Sequence, residues 1–161
     1  MLKLMDILDG TAIPVNYRMA FITNFYREPL LRRMERDTGM IRPELTVLMC
    51  LSHRSGLNAR DICEITEQPS NTVSRAVGAL VEKGYVTRTR DAVDTRRNVL
   101  AITEAGKAVH DRVMATFADA ERVMLETLEP EEVEVLTRLL DKLARDVERW
   151  APGLPAKAQG G

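Results

Sequence analysis

Residues 70–103 read SNTVSRAVGALVEKGYVTRTRDAVDTRRNVLAIT. The first part of this stretch repeats apolar residues at steps of three and four, the spacing of one face of an α-helix. Gly84 ends that pattern, and two segments rich in β-forming residues follow at 85–90 and 98–103. The stretch therefore predicts a helix that leads directly into a β-hairpin. The predicted buried stripe of the helix is Val73, Ala76, Val77, Leu80 and Val81.

The residues just before this stretch predict another helix and a short turn. Asn58 is a favourable N-cap, and Asp61 falls in the first turn, where the helix dipole favours an acid. The run Gln68-Pro69-Ser70 then interrupts the helical pattern. Two helices joined by a few residues are typical of a helix-turn-helix, and a hairpin directly after that motif is a wing.

Polar and charged side chains occupy the two parts of this unit that would project from its core. The hairpin tip, DAVDTRR at 91–97, is solvated until an anion arrives, and Asp94 can pair with Arg96 and so restrict its rotamers. At the helix start, Arg75 can contact either a base or a phosphate, whereas the other polar residues there fit capping as well as DNA contact. The predicted DNA-binding residues are Ser70, Asn71, Thr72, Ser74, Arg75, Arg88, Arg90, Asp94, Arg96 and Arg97.

Helical patterns also flank this unit on both sides. Residues 14–37 predict a helix that Pro29 should kink or break, and Pro43 opens a helix that ends near Gly56. Thr103 caps a long helix to about residue 126. Pro130 opens the last helix, which carries a heptad seam. The seam residues are Val133, Leu136, Leu140, Leu143 and Val147.

Composition narrows the class of protein. The formal net charge of the 161 residues is −1, so bulk charge does not indicate a nucleic-acid binder, although residues 53–103 carry 8 basic and 6 acidic side chains. There is no apolar run long enough for a transmembrane helix, and residues 1–10 lack the features of a signal peptide. We therefore expect a cytoplasmic protein, in which Cys50 and Cys63 stay reduced.

Catalytic and metal-binding patterns are weak. The chain has two histidines, no GxSxG motif, no Gly-rich phosphate loop and no paired acidic motif, so neither an enzyme nor a cofactor is predicted. Cys50 and His53 are one helical turn apart and form a candidate metal pair, with Cys63 or His110 as further ligands. The favoured alternative is that Cys50 is a small core residue and His53 a surface residue.

The pattern D-x-R-x-x-x-L-x-[LI]-T is present as Asp94, Arg96, Leu100, Ile102 and Thr103. It is accompanied by the run Glu82-Lys83-Gly84-Tyr85-Val86 and by the helix start Thr103-Glu104-Ala105-Gly106. With these features the sequence resembles the MarR family of bacterial winged-helix transcription regulators over residues 15–148. The resemblance implies a mainly α (α+β) fold, a winged helix-turn-helix with long N- and C-terminal dimerisation helices.

The resemblance also implies an organisation and a function. The expected parts are a dimerisation segment and helix at 1–40, a DNA-binding lobe at 41–103, dimerisation helices at 104–149 and a disordered tail at 150–161. A homodimer would bind a pseudo-palindromic operator on double-stranded DNA as a repressor. A small organic effector, held near the apolar faces of 15–26 and 104–117, would release it. The alternatives are a redox- or metal-responsive regulator of this fold and a winged-helix module that binds RNA or protein.

Overall fold

The computed structural model describes residues 2–90 and 98–151, which form helices and one small antiparallel sheet. The chain divides into two compact units, Met1–Ala120 and Glu121–Gly161. This architecture confirms the predicted mainly α (α+β) winged-helix fold. In chain order the elements are α1 (Leu2–Gly10), α2 (Pro14–Thr38), α3 (Arg42–His53), α4 (Ala59–Thr66), α5 (Ser70–Glu82), β1 (Val86–Arg90), β2 (Asn98–Ile102), α6 (Glu104–Leu125), α7 (Pro130–Arg145) and α8 (Val147–Trp150).

Helices α3, α4 and α5 and the hairpin share one apolar core. The strands pair antiparallel, with Val86 opposite Ile102 and Arg90 opposite Asn98. The N–H of Leu100 also donates to the Leu57 carbonyl over 2.8 Å, which ties the hairpin to the loop before α4. The hairpin is thus held to the helices by a backbone hydrogen bond as well as by side-chain packing. The residues of this shared core include Leu48, Ile62, Val73, Leu80, Val86 and Leu100.

The helix ends follow the predicted signals. Asn58 Oδ1 accepts from the Asp61 N–H at 3.0 Å, and Asp61 Oδ2 accepts from the Asn58 N–H at 2.9 Å, so the two residues form a capping box. Gly84 has a φ of +71°, which places the turn after α5 in the left-handed region that glycine adopts most readily. The short connection from α5 to β1 therefore depends on Gly84, the residue at which the sequence pattern of the helix ends.

Three predictions about the helices need correction, and one helix was not predicted. α2 is one helix of 25 residues that continues through Pro29, so the predicted break is absent. The proline removes a single hydrogen bond, and the carbonyl that it frees, on the exposed Phe25, can bond to water. α1 was not predicted. Val81 is 39% exposed, since it is rotated by about 100° from Leu80 at the edge of the stripe. α7 ends at Arg145, and Val147 begins the separate helix α8.

Within residues 2–90 and 98–151, no helix combines the length and the hydropathy needed to cross a membrane.

Candidate nucleic-acid interface

The helix α5 presents a polar edge to solvent. Its opposite face buries Val73, Ala76, Val77 and Leu80 in the core. Pro69 precedes the helix, and Asn71 Oδ1 accepts from the Thr72 N–H at 2.8 Å, so the Asn71 side chain folds onto the first turn. The structure thus brings the helix residues of the predicted site to one end of α5. Ser70, Asn71, Ser74 and Arg75 are exposed there, and Thr72 is half-buried.

An ion pair between the buried Glu44 and the partly exposed Lys83 fixes the opposite end of α5. Lys83 Nζ lies 2.7 Å from Glu44 Oε1 and 2.9 Å from Glu44 Oε2, and it also donates to the Gly39 carbonyl at 2.8 Å. Glu44 is only 2% exposed, and its Oε2 accepts from the Ile41 N–H at 2.7 Å. The start of α3 therefore anchors the end of α5. The sequence analysis did not identify this pair, although Glu44 stands at the capping-box position of a proline-initiated helix.

The hairpin carries two of the predicted arginines along one face. Arg88 and Arg90 are two residues apart on β1, so they share a strand face with the buried Val86 and lead outward from the core. Both are exposed. Across the part of the chain that the structure describes, no ion pair engages the guanidinium of Arg75, Arg88 or Arg90. Within those residues, the three groups are therefore open to an anionic partner.

The remaining predicted hairpin residues, Asp94, Arg96 and Arg97, lie outside the described residues. Their assignment to DNA contact stays a prediction from the sequence.

The first turn of α6 holds the base of the hairpin. Thr103 Oγ1 donates to the Gly84 carbonyl at 2.8 Å and accepts from the Gly106 N–H at 3.0 Å, while the Thr103 N–H donates to the Tyr85 carbonyl at 3.0 Å. A Cβ on Gly106 would lie 2.1 Å from the Tyr85 carbonyl oxygen. Only glycine fits at this contact. The contact fixes the position of Tyr85, and so the point at which the hairpin begins after α5.

The cysteines and histidines do not form a multi-ligand cluster in the described part of the chain. Burial raises the pKa of the Cys50 thiol, which disfavours the thiolate that binds metals and reacts with oxidants. His53 Nδ1 and His110 Nε2 lie 3.3 and 3.1 Å from the Ser52 hydroxyl, and His110 Nδ1 lies 2.9 Å from Asp111 Oδ1. Among residues 2–90 and 98–151, no three His, Cys, Asp or Glu side chains are placed to hold a metal ion.

A cavity of about 130 Å³ lies between α2 and α6. Leu30, Met34, Val113 and Phe117 supply its apolar walls. The α6 side falls within the predicted effector segment 104–117, whereas the α2 side uses residues 30–38 rather than 15–26. Its charged lining residues are Arg33, Asp37 and Arg112, and Arg33 Nε lies 3.5 Å from Asp37 Oδ2.

Sequence comparisons point to one family. The family model described as "MarR family" matches residues 38–97. An uncharacterised HTH-type transcriptional regulator, YdgJ of Bacillus subtilis, is 29% identical over 113 residues, covering 70% of this chain and 67% of that protein. The HTH-type transcriptional regulator BilQ of Clostridium symbiosum is 24% identical over 132 residues, covering 80% of this chain and 92% of that protein.

Solved structures agree with the sequence comparisons. A MarR-family transcriptional regulator from Silicibacter pomeroyi superposes with a TM-score of 0.74 at 26% identity, covering 90% of this chain and 93% of that one. Two further structures share the fold. PcaV of Streptomyces coelicolor, in complex with its natural ligand, has a TM-score of 0.66 at 24% identity, covering 88% of this chain and 96% of that one. A single-residue mutant of S. aureus MepR, bound to an oligodeoxyribonucleotide, has a TM-score of 0.58 at 22% identity, covering 83% and 97%.

Proposed function

Because the chain belongs to the MarR family of transcription regulators, we propose that it is a dimeric, sequence-specific DNA-binding regulator. The observation that carries this proposal is the exposed polar edge of α5 beside a hairpin whose two exposed arginines form no ion pair among the described residues. An α-helix fits the major groove, where arginine recognises guanine and asparagine recognises adenine. Asn71 and Arg75 are four residues apart on α5 and so lie on the same side of the helix.

The hairpin is assigned to the DNA backbone and the minor groove. Arg88 and Arg90 lead from the core toward the tip, so a duplex seated on α5 would have guanidinium groups beside it. Arginine binds phosphate through planar, paired hydrogen bonds. Arg96, in the segment between β1 and β2, is proposed to enter the minor groove, where little beyond A·T versus G·C is readable.

Exposed apolar side chains support a homodimer. On α7 Val135, Leu136, Leu139, Leu140 and Leu143 are each between 40 and 48% exposed. On α2 Val15, Ile22 and Phe25 are each more than 50% exposed. Apolar stripes of this size usually mark an interaction surface, and identical chains most often cover such surfaces by two-fold symmetry. A two-fold dimer would select a pseudo-palindromic operator with half-sites roughly 34 Å apart.

The regulator is proposed to act as a repressor that a small organic effector releases. The cavity between α2 and α6 supports this step, because it combines apolar walls with two arginines. PcaV, which shares the fold, has been solved with its natural ligand. To release DNA, an effector must bind the released conformation more tightly than the DNA-bound one.

Selection of bound duplexes from a random pool tests the proposal directly. We expect enriched sequences with two-fold symmetry and an affinity that falls steeply with salt. Enrichment of RNA over duplex DNA, or retention of protein partners alone, would favour a winged-helix module of another kind.

Arg75→Ala should separate base reading from backbone contact. If Arg75 reaches a base edge, its loss should cost about 1–3 kcal/mol on the selected operator and relax the preference at one symmetric pair of positions. Binding isotherms on matched and scrambled duplexes measure both effects. Arg138→Ala is the matched control, because it removes the same exposed charge from α7. Equal loss on both duplexes would make Arg75 a phosphate contact.

Arg96→Ala should act differently from Arg75→Ala. A minor-groove and phosphate contact predicts weaker binding to all duplexes by similar factors and a salt dependence that is less steep by about one phosphate contact. Asp94→Ala should change binding in the same direction but less, because it only loosens Arg96. Isotherms at two salt concentrations measure this, and parent-like binding by Arg96→Ala would contradict the wing assignment.

Leu140→Gln should weaken the dimer. Loss of one leucine removes about 1.5–3 kcal/mol of burial free energy from the interface, and a two-fold dimer loses it in both protomers. The dissociation constant of the dimer should therefore rise roughly a hundredfold or more. Arg138→Gln places the same side chain on α7 away from the stripe and should leave the dimer intact. Light scattering over a dilution series compares the two variants. A parent protein that is monomeric at micromolar concentration would refute the dimer.

A further inference from the structure

Among the described residues, the hairpin has one unpaired edge, the outer side of β1. The outer side of β2 is tied to the loop before α4, because the Leu100 N–H donates to the Leu57 carbonyl. Leu100 therefore points its N–H away from β1. Residues directly opposite each other in an antiparallel pair point their backbone groups either toward each other or both outward. Arg88, the cross-strand partner of Leu100, thus points its N–H and C=O groups away from β2.

Arg88 and Arg90 supply the backbone groups and the charge of this edge. Arg90 lies two residues along β1, so its N–H and C=O point outward as well. Within residues 2–90 and 98–151, no hydrogen bond engages these outward groups. Both side chains are exposed on one face of the strand and form no ion pair in that part of the chain. The edge therefore offers main-chain donors and acceptors next to two cations.

We propose that the outer edge of β1 binds an extended acidic segment of a partner protein, which joins the sheet as an antiparallel strand. Added strands gain affinity from main-chain hydrogen bonds and specificity from alternate side chains. The partner residues opposite Arg88 and Arg90 would exchange N–H···O=C bonds with them and lie on the same face, so carboxylates two residues apart would meet both guanidinium groups. The residue between them would lie beside the exposed Thr89, where a β-branched side chain packs well.

The charge of the edge selects this occupant over a second copy of the chain. Antiparallel pairing of two β1 strands would place Arg88 and Arg90 opposite the arginines of the other copy, and like charges directly opposite destabilise a sheet. Charged side chains on an edge strand commonly prevent such self-association. An acidic strand converts the same repulsion into attraction, so the partner is a segment in which acids alternate with β-forming residues.

Such a segment would compete with DNA, which rests on the proposed function because it requires Arg88 and Arg90 to contact the duplex. A guanidinium that is paired with a carboxylate cannot bind a phosphate at the same time. Above the dissociation constant of the segment, the apparent dissociation constant for DNA should rise in proportion to segment concentration.

The peptide acetyl-Thr-Glu-Thr-Glu-Thr-amide is the probe, titrated into the full-length protein without DNA. The backbone amide protons of Arg88 and Arg90 should shift to higher frequency, as amide protons do on entering a hydrogen bond, and the shifts should saturate. The amide protons of Thr87 and Thr89, which already face β2, should move less. The peptide with lysine in place of glutamate should bind roughly tenfold more weakly or worse, because each cross-strand pair changes from attraction to repulsion.

Methyl groups on the peptide nitrogens separate strand pairing from charge attraction alone. Methylation of both glutamate nitrogens removes the donors that face β1 and should abolish the saturable shifts. Methylation of the central threonine nitrogen, which faces away from β1, should preserve them. The double variant Arg88→Gln/Arg90→Gln should lose the preference for glutamate over lysine, whereas Arg60→Gln, on the exposed surface of α4, should retain it.

Equal binding of the glutamate and lysine peptides, or shifts that are unchanged when both glutamate nitrogens are methylated, would overturn the edge assignment. DNA competition is read separately, with the glutamate and lysine peptides compared at several concentrations. A parent protein that binds its operator while the titration leaves Arg88 and Arg90 unshifted would refute the edge and leave the proposed function intact. A parent that binds no duplex would refute the proposed function, whereas the titration without DNA would still decide the edge.

Discussion

Gly106→Ala is expected to destabilise the protein by about 3 kcal/mol, at the upper end of the cost of overpacking a core. The new Cβ would lie 2.1 Å from the Tyr85 carbonyl oxygen and 2.9 Å from its carbon. Both are backbone atoms, so a side-chain rotation cannot relieve the contact. Either α6 moves away from the hairpin or β1 shifts, and both movements disturb the bonds of Thr103 to Gly84 and Tyr85.

Gly106→Ala tests the close contact by whether it destabilises or stabilises the protein, because alanine normally stabilises a helix relative to glycine by about 1 kcal/mol. Gly78 provides the matched control. It lies in α5, a Cβ added to it would have open space for 4 Å around it, and its backbone does not need a positive φ. Gly78→Ala should therefore stabilise by up to about 1 kcal/mol. Urea unfolding of the two variants measures the difference, and a Gly106→Ala variant as stable as the parent would refute the close contact.

Gly106→Ala should also impair DNA binding more than its loss of stability explains. The contact sets where the hairpin leaves α5, and the hairpin carries Arg88 and Arg90. A variant still folded at low temperature should therefore bind the operator more weakly than the parent does, by more than its unfolded fraction accounts for.

Local signals in the sequence predicted most of the fold. Asn58, Gly84 and Thr103 each act through bonds or dihedral angles within a few residues, and all three behave in the structure as their residue types indicate. The buried residues of the α5 stripe were likewise predicted correctly, except that Val81 at its edge is exposed. Pro29 shows where such reasoning fails. Its local preference against a helix interior is overridden in α2, a helix of 25 residues.

The interface was predicted less completely than the fold. Exposure of Ser70, Asn71, Ser74 and Arg75 follows from the buried stripe on the other side of α5, so the helix part of the site could be derived from periodicity. The Glu44–Lys83 pair joins residues 39 positions apart, and the close approach of Gly106 to Tyr85 joins residues on different elements. No local pattern encodes such contacts, because they depend on how the elements pack.

Lys83→Met is expected to lower the free energy of unfolding by about 2–4 kcal/mol. This is a little less than the 3–5 kcal/mol typical of breaking a fully buried ion pair, because Lys83 is itself 30% exposed. The substitution keeps the length of the side chain but leaves the Glu44 carboxylate, 2% exposed, with the Ile41 N–H as its remaining described partner. Glu44→Gln should cost less, about 1 kcal/mol, since the amide oxygen can still accept from Ile41 and the lysine retains access to water.

The double variant Glu44→Gln/Lys83→Met separates pairing from packing. With no charge left in the site, it should be more stable than the sum of the two single losses predicts, with a coupling of about 1–3 kcal/mol. Lys107→Met controls for the loss of an exposed lysine and should stay within about 0.5 kcal/mol of the parent. Urea unfolding of all four variants completes the cycle. Since the pair anchors the end of α5, Lys83→Met should also weaken operator binding. If the losses of unfolding free energy were additive and Lys83→Met bound the operator as the parent does, α5 would be positioned by its apolar face alone.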